Sequence, residues 1–289
     1  MSKIVSSSEL FEAIRNSINN RTPLSYIRMG DGEFQIAKKP QHCNSIEEKD
    51  LRSFQLKHIF ARYGEEYIED SKFHNKWRAD IVEAIKKSDY CGVFTIQEVD
   101  EMIKTGWRAD CDYEDTVRMY VPNLSVLEYY GVDLSKLKLC SPMFNRSEEL
   151  GIVDNFKKLI GDQRFTIITN RTKELMSNKK FKTLFGEQVD FITVAHEHGV
   201  KEAKALYQRT AVSDQFKNIK GHVVLFAMGG AAKSLCNVLK NDWGKCALDM
   251  GSVIDAWAGI ISRPSYGNIY SYCLTVPADE APETDICWR

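Results

Sequence analysis

No run of apolar residues in this chain approaches the ~20 that a membrane-spanning helix needs. The opening residues, Met1-Ser2-Lys3-Ile4-Val5-Ser6, hold no apolar core, so a secretory leader is not expected. Net charge is nearly absent: 39 Lys and Arg stand against 40 Asp and Glu, leaving −1. A nucleic-acid partner favours a basic face, so none is expected. Paired cysteines are missing as well. The eight cysteines are scattered singly, with no Cys-x-x-Cys, which argues against a zinc site or a disulfide framework. They read as reduced, mostly buried thiols of a cytoplasmic protein. No internal repeat, low-complexity tract or Pro/Gly-rich linker divides the chain. What is present, 43% hydrophobic and 27% charged residues, is the composition of a globular domain.

The apolar pattern alternates between two periods. Ser6-Ser7-Ser8-Glu9 resembles a helix cap, and Leu10, Phe11, Ile14 and Ile18 continue it at helical spacing. Short apolar runs follow at residues 24–27, 90–94, 165–168, 189–192, 222–226 and 246–249. The later ones are separated by helix-like stretches such as 200–216 and 231–240. Strands alternating with helices of this length predict an α/β fold, a Rossmann-like, mostly parallel sheet with helices on both faces. We read residues 1–277 as one domain with a helical insertion at about 35–88, and the acidic residues 278–289 as a loose tail.

In open parallel sheets, ligands bind beyond the carboxyl ends of the strands. Three predicted strand ends carry suitable residues. The first is Arg28-Met29-Gly30-Asp31-Gly32-Glu33. Asp31 and Glu33, two residues apart, can converge on one divalent cation or divide between a cation and a sugar hydroxyl. Gly30 and Gly32 let the backbone turn tightly and a polyanion approach. The second is Gly229-Gly230-Ala231-Ala232-Lys233, a glycine turn opening a helix, where backbone N–H groups attract phosphate. It is not a P-loop, because Ala232 precedes Lys233 and Ala227 replaces the upstream glycine. The third is Asp249-Met250-Gly251-Ser252, with Asp255 beyond it. Asp255 could equally be a helix cap and Asp249 a turn former.

Together the three segments resemble the glycosyltransferases of the GT-D fold, a bacterial family first grouped as a domain of unknown function. There an Arg-x-Gly-Asp-Gly-Glu segment carries a metal-linked Asp-x-Glu motif. A Gly-x-x-Ala-x-x-Leu helix follows, then a strand ending Ala-x-Asp-x-Gly with a further Asp. The corresponding residues here are Arg28 to Glu33, Gly229 to Leu235, and Ala247 to Gly251 with Asp255. Arg171 corresponds to a family arginine near the donor site. Family members commonly place a histidine after the Asp-x-Gly, where this chain has Ser252.

The resemblance implies a hexosyltransferase-type glycosyltransferase of bacterial glycan biosynthesis. It would move a sugar from a nucleotide-sugar donor, by family a UDP-sugar, to a glycan or glycoprotein acceptor, using Mn2+ or Mg2+. Asp31 and Glu33 would hold the metal, Arg28 and Lys233 would neutralise phosphate, and Asp249 or Asp255 would take the acceptor proton. Self-association is left open. The competing readings are a metal-dependent phosphoester hydrolase and a non-catalytic nucleotide-binding module. His196-Glu197-His198 has no evident third ligand and is set aside as a metal site.

Overall fold

The computed structural model describes residues 3–30, 71–104, 113, 117, 121, 124–194, 216, 219–262 and 273–275. The first helix, Ser7–Asn20, begins where expected: Ser6 Oγ accepts a hydrogen bond from the Glu9 amide at 3.2 Å. Its residues Leu10, Ile14 and Ile18, four apart, are fully buried on one face. The helix stops at Arg21, which takes the left-handed conformation and returns its N–H to Ser17.

Eight strands form one sheet: β1 (Lys3–Ile4), β2 (Leu24–Arg28), β3 (Tyr90–Gly92), β4 (Lys138–Cys140), β5 (Phe165–Thr169), β6 (Val189–Thr193), β7 (Val223–Ala227) and β8 (Cys246–Asp249). Their spatial order is β1-β4-β3-β2-β8-β7-β5-β6, and every pairing is parallel. A parallel strand needs a crossover to its neighbour, and the crossovers lay helices on both faces. This is why the central strands are buried along their whole length, as in Phe165-Thr166-Ile167-Ile168-Thr169.

Alternate side chains of each strand feed two cores. On β2, Leu24 and Tyr26 enter one and Ile27 the other. The Ile27 side is roofed by the helices Ser71–Lys87 and Ala231–Trp243 through Ile81, Ile85, Leu235 and Leu239. The Tyr26 side is filled by aromatic rings, with Phe156 and Trp257 5.1 Å apart and Phe181 and Phe185 4.8 Å apart between centroids. Edge and tilted packing of such rings adds to their buried area.

The predicted α/β class holds, with the sheet entirely parallel across its described pairings. The helix Ser71–Lys87, inside the span read as an insertion, leads to β3 and covers the sheet. Residues 35–70 of that span and the tail 278–289 lie outside the described residues. No described helix is long and apolar enough to cross a membrane.

Candidate active site

β2, β8, β7 and β5 are consecutive neighbours in the sheet, so their carboxyl ends form one continuous edge. Asp249 is the last residue of β8 and is buried there. Its Oδ2 accepts from Lys233 Nζ at 2.7 Å and from the Arg28 backbone N–H at 3.3 Å, with Arg28 Nε at 3.8 Å. One carboxylate thus ties β2, β8 and the helix after β7. Lys233 Nζ donates a second bond to the Gly229 carbonyl at 3.2 Å. The turn delivering Lys233 needs glycine, since Gly229 has φ of +59°. Ala231 and Ala232 then bring the helix close against the sheet.

This interior is poorly solvated. Burial pushes the Cys91 thiol up to about 12 despite the nearby Lys233 charge. The Cys236 thiol is raised well above its ordinary value by burial, and Asp249 adds to the effect.

Beyond β8 the chain turns at Gly251, with φ of +51°, and enters the helix Val253–Trp257. A Cβ on Gly251 would lie 2.2 Å from Arg28 Nη2. Glycine is therefore what lets the guanidinium cross the turn, where its Nη1 donates to the Pro142 carbonyl at 3.3 Å. The turn is gripped from two sides. From the segment after β4, Asn145 Nδ2 donates to the Met250 carbonyl at 2.6 Å and Arg146 Nη2 donates to Ser252 Oγ at 3.1 Å. From the segment after β5, Arg171 Nε donates to Asp255 Oδ1 at 3.1 Å. Ser262 Oγ donates to the other oxygen of Asp255 at 2.6 Å. Glu174 lies 3.8 Å from Arg171 at the rim.

Of the residues singled out from sequence, Arg28, Gly229, Gly230, Lys233 and Asp249 meet at one point, and Arg171 and Asp255 pair beside it. Gly30 is the last described residue of its segment. Asp31, Gly32 and Glu33 lie outside the described residues, as do His196, Glu197 and His198.

Two of these groups are engaged within the fold. Lys233 and Asp249 have side chains only 4% and 2% exposed and are bonded to each other, so Lys233 balances Asp249 internally. As placed, neither presents a free face to a ligand. At the glycine turn, the amides of Ala232 and Lys233 bond back to the carbonyls of Gly229 and Gly230, which leaves fewer N–H groups for phosphate than expected.

Arg146 was missed. It is only 4% exposed, and the available signal was an Asn-Arg pair following a strand, as at Asn170-Arg171. Its strand, β4, is too short to announce itself. Among the described residues no group of three or more His, Cys, Asp or Glu could hold a metal.

A family profile described as a GT-D fold-like domain matches residues 5–257. The chain belongs to that family. No curated protein matches it. Two solved structures share the fold. One is a selenomethionine-substituted domain of unknown function 1792, at 16% identity and a TM-score of 0.53, covering 98% of this chain and 91% of that one. The other is described as a highly conserved domain of unknown function 1792 with a distinct glycosyltransferase fold. It has 14% identity and a TM-score of 0.50, covering 87% and 79%. In this GT-D-like chain the profile ends at the residue closing the Val253–Trp257 helix, so it spans the whole cluster from Arg28 to Asp255.

Proposed function

We propose that this GT-D-like protein is a metal-dependent glycosyltransferase, with a nucleotide diphosphate sugar, UDP-sugars first, as donor and a glycan or glycoprotein as acceptor. One observation carries the reading beyond family membership. Four cationic side chains, Arg28, Arg146, Arg171 and Lys233, gather at the carboxyl edge of the central strands with three carboxylates, Asp249, Asp255 and Glu174. Fixed guanidinium groups at the ligand-binding edge of a parallel sheet suit an anionic leaving group.

The reaction breaks the bond between the anomeric carbon and the diphosphate oxygen, whose electron pair stays with the nucleoside diphosphate. The acceptor hydroxyl oxygen bonds to the same carbon and gives up its proton. Charge develops on the diphosphate as the bond breaks, and fixed cations there stabilise the transition state more than the ground state. Arg28 and Arg171, with side chains 17% and 10% exposed, would do this, while Lys233 and Asp249 hold the ends of β2 and β8 in register. Asp255, with a side chain 17% exposed, is better placed than Asp249 to take the acceptor proton.

Asp249 and Asp255 are both committed to cationic partners and make poor metal ligands. A divalent ion, Mn2+ or Mg2+, would therefore rest on Asp31 and Glu33. Asp31 is three residues past Arg28 in the sequence. When bound, the ion would supply further neutralisation of the leaving diphosphate.

Incubation with a panel of nucleotide sugars, with manganese or with chelator, tests the reading. Metal-dependent release of nucleoside diphosphate, abolished by Glu33→Ala in a folded protein, is expected. Free phosphate from simple esters would point to a hydrolase, and donor binding without turnover to a non-catalytic module.

A further inference from the structure

One six-residue motif occurs twice in the chain. Asn145-Arg146-Ser147-Glu148-Glu149-Leu150 and Asn170-Arg171-Thr172-Lys173-Glu174-Leu175 share the pattern Asn-Arg-Ser/Thr-x-Glu-Leu. Both copies stand just beyond a strand end, β4 in one half of the sheet and β5 in the other. Both open a short helix, Glu148–Gly151 and Thr172–Ser177, and both bury their leucine completely. Each arginine is buried, and each bonds to the turn and helix after β8: Arg146 to Ser252 at 3.1 Å, Arg171 to Asp255 at 3.1 Å.

We infer that Arg146 is a positioning residue of the reaction, the counterpart of Arg171. From opposite halves of the sheet the two arginines fix residues 250–255 and so set where Asp255 stands. The inference rests on the glycosyltransferase reading for its kinetic consequence but not for its geometry. The first copy of the motif is attached to the turn at two places, and the residue after it holds the helix that follows the turn. Asn145 donates to the Met250 carbonyl, Arg146 donates to Ser252 Oγ, and the Gly151 carbonyl accepts from Trp257 Nε1 at 2.6 Å. The packing beneath is close, since a Cβ on Gly151 would lie 2.8 Å from the Arg146 Cα. An arginine held this firmly transmits its placement to the turn instead of swinging out to meet a ligand. The Ser252 hydroxyl is the acceptor through which it acts, which gives a specific use to the residue after Asp249-Met250-Gly251.

The test uses the full chain carrying Arg146→Ala, Arg146→Lys, Ser252→Ala and the Arg146→Ala/Ser252→Ala pair, each checked by thermal melting. Arg146→Ala should lower kcat for nucleoside diphosphate release by about 10- to 100-fold, the range for losing a charge-assisted hydrogen bond, with donor KM within about threefold. Adding Ser252→Ala to Arg146→Ala should cost no more than about twofold further, because both remove one interaction. Arg146→Lys, which keeps the charge, should fall between wild type and Arg146→Ala, and it decides the matter should the alanine variant not fold. Additive losses, or a lowered Tm with kcat unchanged per folded molecule, overturn the proposal.

Wild-type protein that releases no nucleoside diphosphate from any donor defeats the glycosyltransferase reading, and amide hydrogen exchange then decides positioning alone. Arg146→Ala should speed exchange across residues 250–258 by about tenfold or more while β5 and β7 keep their protection. Unchanged or uniformly altered exchange overturns it.

Discussion

Replacing Gly251 by alanine puts two separable loads on the site. The first is local: an L-residue at φ of +51° costs about 1–2 kcal/mol in backbone strain. The second is a collision, because the new Cβ would lie 2.2 Å from Arg28 Nη2 and 3.2 Å from its Cζ. The guanidinium must retreat and give up its bond to the Pro142 carbonyl and its approach to Asp249. A charge-assisted hydrogen bond of this kind contributes about 1.5–3 kcal/mol. The two together come to about 2.5–5 kcal/mol, which for a domain of this size lowers Tm by roughly 4–8 °C. Nucleoside diphosphate release should fall with it, since Arg28 is moved from the place where charge develops.

The decisive measurement is a double-mutant cycle by thermal or urea unfolding. In an Arg28→Ala background the collision is gone, and Gly251→Ala should cost only the backbone share of about 1–2 kcal/mol. Equal costs in both backgrounds would refute the steric argument, and a Tm shift below about 1 °C would refute both parts.

Two further outcomes follow from the buried groups. Lys233→Met leaves the Asp249 carboxylate without its cation and should destabilise the fold by about 3–5 kcal/mol in urea unfolding, whereas Lys233→Met/Asp249→Leu should recover much of that loss. A double variant as unstable as the single one would show that the pair is not the source. The thiols of Cys91 and Cys246 are pushed up to about 12 by burial, and those of Cys140, Cys236 and Cys273 are raised too. With eight cysteines in the chain and these five buried, at most three should react with a thiol reagent near pH 8 before unfolding; a larger number refutes the packing described.

Much of this arrangement is visible in the amino-acid order. β5, β7 and β8 are continuous apolar runs because both their faces are covered, and each was read to within a residue or so at its ends. The strand-end residues Arg28, Asp249 and Lys233 were found because a parallel sheet brings its carboxyl ends to one edge. β1 and β4 escaped notice because two or three residues, one of them an exposed lysine in β4, carry no readable period.

The Lys233–Asp249 pair was hidden for a different reason. A lysine opening a helix after a glycine turn looks the same in sequence whether it faces a phosphate or a carboxylate 16 residues further on. Only the β7–β8 pairing brings Asp249 to it. Arg146 was overlooked because its partner, Ser252, is more than 100 residues away, and no local spacing marks that bond.

The sheet order has a consequence for how the protein comes into being. Strands β1 to β4 form one side and β5 to β8 the other, and the halves are stitched where β2 lies along β8. Arg28 and Asp249 face each other across that stitch, 221 positions apart. Both cores draw side chains from the two halves, so the charged edge exists only after the final strand has emerged and docked. The seam between the halves is thus also where the charged edge is assembled.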